Sequence, residues 1–192
     1  AALWLAAAVC VQAQVMPADE AMLNGQPVQA QLEFFGALER SDWPQIRHWL
    51  ARGMDVNRGQ GYGFEQGRTP LMLAASSGSV ALTDFLLAQG AQVNARAQSS
   101  LETALFKAVR FAGSRGDDAA VRAGYDAVVQ RLLKAGADPN LADHNGFLPL
   151  YFAPDAAMLR LLLKGGANPK AQTRWPPLLA HGAYADRLQV LL

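Results

Sequence analysis

A helix-closing phrase recurs four times along this chain and constrains its fold more than any other feature. It reads Trp49-Leu50-Ala51-Arg52-Gly53-Met54-Asp55-Val56-Asn57, then Leu86-Leu87-Ala88-Gln89-Gly90-Ala91-Gln92-Val93-Asn94, then Leu132-Leu133-Lys134-Ala135-Gly136-Ala137-Asp138-Pro139-Asn140, and finally Leu162-Leu163-Lys164-Gly165-Gly166-Ala167-Asn168-Pro169. In each copy apolar residues finish a helix, glycine takes the left-handed position that ends it, and Val or Pro with Asn leads into an extended turn. Repetition on this scale marks a solenoid, in which each unit buries its apolar face only against its neighbours.

A second phrase precedes each of these, most complete as Gly67-Arg68-Thr69-Pro70-Leu71-Met72-Leu73-Ala74-Ala75-Ser76-Ser77-Gly78. Thr caps a helix, Pro fits its first turn where an N–H would be unpaired anyway, and small Ala faces allow close stacking. Here the sequence resembles the ankyrin repeat, whose Thr-Pro-Leu-His motif recurs every 33 residues or so. Met72 stands where that family usually has His, which weakens one structural hydrogen bond. The resemblance implies an all-α ankyrin-repeat solenoid of about five helix-turn-helix units with β-turn fingers between them.

The spacing departs from the ideal, with 37 residues from Gly53 to Gly90, 46 to Gly136 and 30 to Gly166. Each departure falls at a connection, as a solenoid requires. Four extra residues lie in the glycine-rich turn 58–66, read as a flexible finger. One lies before Thr103 and twelve, 112–123, between the helices of the third unit, while the fourth unit lacks three at the end of its first helix. The expected helix pairs are 32–39 with 43–51, 70–76 with 80–88, 104–111 with 119–134, and 149–153 with 155–164. The repeats divide at about 32–66, 67–100, 101–145, 146–173 and 174–192, with the fifth incomplete and the array expected to continue past it. Residues 14–31 are expected to form a linker or cap.

The N-terminal run Leu3-Trp4-Leu5-Ala6-Ala7-Ala8-Val9-Cys10-Val11 has the length of a signal-peptide apolar region, and Val11-Gln12-Ala13 fits a cleavage site. Residues 1–13 therefore read as a signal peptide lacking its start, with a buried first helix as the alternative. Lipid attachment at Cys10 is disfavoured by the bulky Val9. Cys10 is the only cysteine, so cleavage after Ala13 leaves a chain without thiols, suited to an oxidising compartment. A periplasmic or secreted location is the expectation. No run reaches the roughly 18 to 20 apolar residues of a spanning helix. Seventeen basic against sixteen acidic side chains give a net charge of +1, which argues against nucleic acid as a partner.

Catalytic or metal-binding constellations are not expected. His48, His144 and His181 fall in different units, and no pair has metal-ligand spacing. The segment Asp143-His144-Asn145-Gly146 is turn chemistry, and adjacent Asp117 and Asp118 suit a helix N-terminus better than a shared substrate. Gly59, Gly61 and Gly63 lack the strand and the Lys-Ser or Lys-Thr of a phosphate loop. Neither cofactor nor metal is expected.

What remains is surface. The resemblance implies that another protein is gripped by the fingers and by the exposed ends of the first helices. Aligned by motif, the helix positions are Glu39, Arg40, Ser76, Ser77, Arg110 and Phe111. The finger positions are Tyr62, Phe64, Arg96, Gln98, His144, Asn145, Arg174 and Trp175. Aromatics and Arg are common interface anchors, although Phe111 and Trp175 could equally pack locally. The expected function is thus non-enzymatic protein binding. The alternative is that the chain forms the ankyrin portion of a longer enzyme or multidomain protein.

Overall fold

Paired helices follow one another at the positions the repeated phrases dictate. The computed structural model describes residues 22–23, 26–61, 66–114 and 118–171. A two-residue antiparallel pair, β1 (Met22–Leu23) and β2 (Gln26–Pro27), leads into α1 (Val28–Arg40) and α2 (Trp43–Ala51). The next pairs are α3 (Pro70–Ser77) with α4 (Val80–Ala88), and α5 (Ala104–Ser114) with α6 (Ala119–Lys134). A 3-10 turn (Pro149–Phe152) and α7 (Ala156–Lys164) complete the described units. Helix α1 thus starts four residues before the expected first unit, taking up part of the segment read as a linker. The expected fifth unit and the N-terminal 13 residues, with Cys10, lie outside the described residues.

Helices α1, α3, α5 and the 3-10 turn stack side by side as an inner row, with α2, α4, α6 and α7 behind them. Burial explains the composition of the inner row. In α3 all of Pro70 to Ala75 are buried, since this helix is covered by α1, α5 and α4. Ala74 and Ala75 hold no volume that would keep those neighbours apart. The outer helices bury a single stripe, such as Leu82, Thr83 and Leu86 in α4. Trp43 meets Phe85 edge-on at 5.4 Å, tying α2 to α4.

Caps set where each helix begins. Thr69 accepts the Met72 N–H at 3.3 Å, and the sulfur of fully buried Met72 accepts the Thr69 N–H at 3.4 Å. The thioether is a weak acceptor, but it leaves no orphan donor. Thr103 caps α5 through the Phe106 N–H, and Ser79, Asp118 and Asp155 cap α4, α6 and α7. In the fourth unit buried Leu148 replaces the capping Thr and makes no side-chain cap. There the expected helix over 149–153 is only one 3-10 turn.

The twelve-residue insertion is mostly helix. It carries α5 on to Ser114 and supplies the first turns of α6. Just past the insertion α6 is anchored in the interior: buried Tyr125 packs on Gly78 and donates to the Ser76 carbonyl at 2.8 Å.

Asparagine side chains join successive units. Asn57 donates to the Gly90 carbonyl at 3.2 Å and accepts the Gln92 N–H at 2.6 Å. Asn94 bonds Gly136 and Asp138 at 3.0 and 2.8 Å, and Asn140 bonds Gly166 and Asn168 at the same distances. Each glycine concerned has φ between +84° and +94°, as the helix-closing phrase requires.

Candidate protein-binding surface

The fingers form a hydrogen-bonded series at one end of the inner row. Within the first, the Gln60 N–H donates to Arg68 O at 2.9 Å and the Gly67 N–H to Gln60 O at 2.8 Å. A Cβ on Gly59 would stand 2.7 Å from the Gly67 Cα. That glycine serves close backbone approach and not only the flexibility expected of the finger. The second finger joins the first through the Gln98 N–H to Gln66 O at 3.1 Å, and the third joins the second through the His144 N–H to Ser100 O at 2.9 Å.

These bonds decide which expected site residues are free to meet a partner. Gln98 is exposed, with its backbone and the base of its side chain seated over Gly67. Arg96 is exposed but spans two fingers, donating from Nε to the Leu101 carbonyl at 3.1 Å and from its guanidinium to the Ala142 carbonyl. His144 and Asn145 form an exposed tip shaped by Asp143, whose carboxylate accepts the N–H groups of Asn145 and Phe147. Tyr62, Phe64, Arg174 and Trp175 lie outside the described residues.

At the other end of the inner row, Glu39 is 58% exposed and pairs with Arg68 at 3.0 Å. Arg40 is exposed beside it. The hydroxyls of half-buried Ser76 and exposed Ser77 donate to the carbonyls of Leu73 and Ala74 in their own helix. Phe111 packs partly buried against the core, with the Arg110 guanidinium 5.4 Å from its ring centre. Its ring therefore serves local packing, and Arg110 supplies the exposed chemistry.

Sequence reasoning passed over a charged cluster beneath this surface. Glu102 and Lys107, 3% and 2% exposed, pair at 3.1 Å, and Arg110 reaches the same carboxylate at 2.7 Å. Its trace in the sequence is one acid and one Lys inside a stretch from Leu101 to Val109 that is otherwise apolar but for the capping Thr103. Arg122 of α6 and Asp155, the cap of α7, form a second pair across units. Burial works to raise the Asp155 pKa, but the Met158 and Ala157 N–H groups and Arg122 outweigh it, so the carboxyl titrates below its usual range. Asp126 goes the other way, raised by burial and by the Asp155 charge against the opposing pull of Arg122.

Among the described residues no group of three or more His, Cys, Asp or Glu side chains could hold a metal ion, and no helix is long and apolar enough to cross a membrane. The charged clusters are ion pairs that support packing, and exposed side chains stand at the inner-helix ends and fingertips as well as along the outer helices.

Comparison with known proteins agrees with this architecture. Residues 37–116 match the family described as ankyrin repeats in three copies, and residues 118–144 match a single ankyrin repeat. The chain is 31% identical over 117 residues to an ankyrin repeat protein of Fowlpox virus (strain NVSL), a match covering 61% of this chain and 30% of the viral one. It is 33% identical over 107 residues to an ankyrin repeat-containing protein of Treponema pallidum (strain Nichols), covering 54% of this chain and 32% of that one. With the Neurogenic locus Notch protein of Drosophila melanogaster it shares 36% identity over 120 residues, 53% of this chain and 4% of the fly protein. The chain thus spans about a third or less of the length of these relatives. Repeats, inter-unit asparagine bonds and sequence matches together show that the chain belongs to the ankyrin-repeat family, whose units serve as protein-protein interaction modules.

Proposed function

We propose that the chain is an exported, non-enzymatic binder that holds one partner protein against the fingertips and the ends of its inner helices. The observation carrying this reading is the exposure of Arg40, Ser77, Gln98, His144 and Asn145 on those surfaces, while the residues between them are consumed by packing. A stack of this kind offers a broad rigid surface whose side chains can vary without disturbing the core. Export is supported by the apolar run before Ala13 and the absence of cysteine after Cys10.

Affinity capture from the exported fraction tests the reading. Ser77→Arg and Arg40→Glu, both on the binding surface, should each weaken capture of the same partner by about tenfold or more, roughly 1.4 kcal/mol. Ala88→Arg, at an exposed position on outer helix α4, should leave it unchanged. Equal losses at all three positions, or none at any, would count against the assignment.

A second reading is favoured by the matches that cover only 4% to 32% of these longer relatives. In it the chain is the recognition portion of a larger protein with catalysis elsewhere. The complete reading frame distinguishes them, since a further domain supports the second and a stop codon soon after one capping helix supports the first.

A further inference from the structure

Two departures from the repeat fall side by side and open a cleft. Helix α5 runs on to Ser114, whereas the inner element of the next unit stops at Phe152 after one 3-10 turn. The wall steps down between them, leaving a cleft of about 440 Å³ lined by Arg110, Gly113, Ser114, Arg122, Phe152 and Pro154 among others. It lies at the end of the inner row away from the fingers, since eleven helical residues carry the chain about 16 Å along its axis.

Among the described residues, the charged side chains lining the cleft are both cationic, Arg110 and Arg122. Lys107 and Arg110 share the single Glu102 carboxylate, and of the two only Arg110 reaches the surface. Its side chain is 38% exposed, and it stacks over Phe111. Across the cleft Arg122 pairs with Asp155 and also attracts the nearby Asp126 carboxylate. Each guanidinium makes its ion pair through a single terminal nitrogen, and Arg geometry leaves further N–H donors for a carboxylate. Apolar surface from Phe152 and Pro154 adjoins these donors.

We propose that this cleft receives an acidic segment of the partner, with an Asp or Glu carboxylate on Arg110 and Arg122 and an adjoining apolar side chain against Phe152 and Pro154. The inference deepens the binding function proposed above and rests on it. Because Arg110 is partly exposed, salt should weaken the interaction.

The test uses the full chain and two short peptides, acetyl-Ala-Glu-Leu-Ala-amide and its Gln counterpart, followed by nitrogen-15 NMR. The Glu peptide should produce saturable shifts at Gly113, Ser114 and Arg122, and the Gln peptide should bind about tenfold more weakly or not at all. Gly113→Phe should abolish the shifts. A Cβ at Gly113 would sit 3.4 Å from the Phe152 carbonyl oxygen and 3.8 Å from Pro154, ordinary contact, so the rest of the ring is directed to occupy the cleft. Should that variant unfold, Ser114→Phe, at an exposed helix end, provides the same block. Absent shifts, equal shifts with both peptides, or shifts that survive a folded blocking variant would overturn the proposal. The peptide assay does not use the natural partner. Its failure with partner capture intact removes only the cleft, whereas peptide binding with capture insensitive to Ser77→Arg and Arg40→Glu removes the wider binding surface.

Discussion

Single residues here act mainly at the joins between units. Asn94 is exposed, yet its amide bonds two backbone groups of the next unit, a role repeated by Asn57 and Asn140. A hydrogen bond of this kind contributes about 1 kcal/mol net, because water competes for the freed groups. Asn94→Ala is therefore expected to cost about 1 to 2 kcal/mol in a urea melt, far more than an ordinary exposed substitution. If the loss stays below about 0.5 kcal/mol, these bonds do not hold the units together. The recurring Asn was legible in the sequence as turn chemistry, but its partners were not. They lie 26 to 44 residues away, where no local pattern points. Burial of Glu102 and Lys107 was hidden for the same reason, since each stands beside residues whose neighbours come from other units.

The elements themselves were mostly legible. Thr69-Pro70 placed the start of α3 and Thr103 that of α5, and the recurring glycine placed the ends of α2, α4, α6 and α7, because caps and left-handed turns are local interactions. The fourth unit shows the limit: losing both its capping Thr and three residues leaves a 3-10 turn where a helix was expected. At this scale the buried stripe of α4 should dominate stability. Leu86 is fully buried, so Leu86→Ala is expected to cost about 2 to 5 kcal/mol through lost apolar contact and a residual cavity. Exposed Ser77→Ala should stay within about 0.5 kcal/mol, and equal denaturant midpoints for the two would overturn the assignment of inner and outer faces. The junction of α6 and α7 makes a pH prediction. Asp126 has a folded pKa above its unfolded one, so its ionisation opposes folding at neutral pH and stops doing so as pH falls through the raised value. Asp126→Asn should thus be more stable than the native chain at pH 7, with the difference closing towards pH 3. Melting curves at several pH values check this, and an unchanged or growing gap at low pH would contradict the assignment.

The whole molecule divides its labour between a row of helices fixed by packing and an exposed set of helix ends and fingertips. Two indels that looked separate along the chain meet in space, where the extended α5 and the shortened fourth unit create the cleft. That juxtaposition follows from stacking order and was not visible in either segment alone. The central claim is that one partner sits on the inner-helix ends and fingertips, leaving the outer helices bare. Site-specific photo-crosslinking tests it most directly, with a photoreactive residue placed in turn at Arg40, Ser77 and Asn145, and at Ala88, Arg131 and Arg160 on the outer helices, all six positions exposed. The account predicts adducts to one and the same protein from the first three positions and none from the last three. Adducts from the outer helices at comparable yield, or none from Arg40, Ser77 and Asn145 while the partner is still captured, would contradict it.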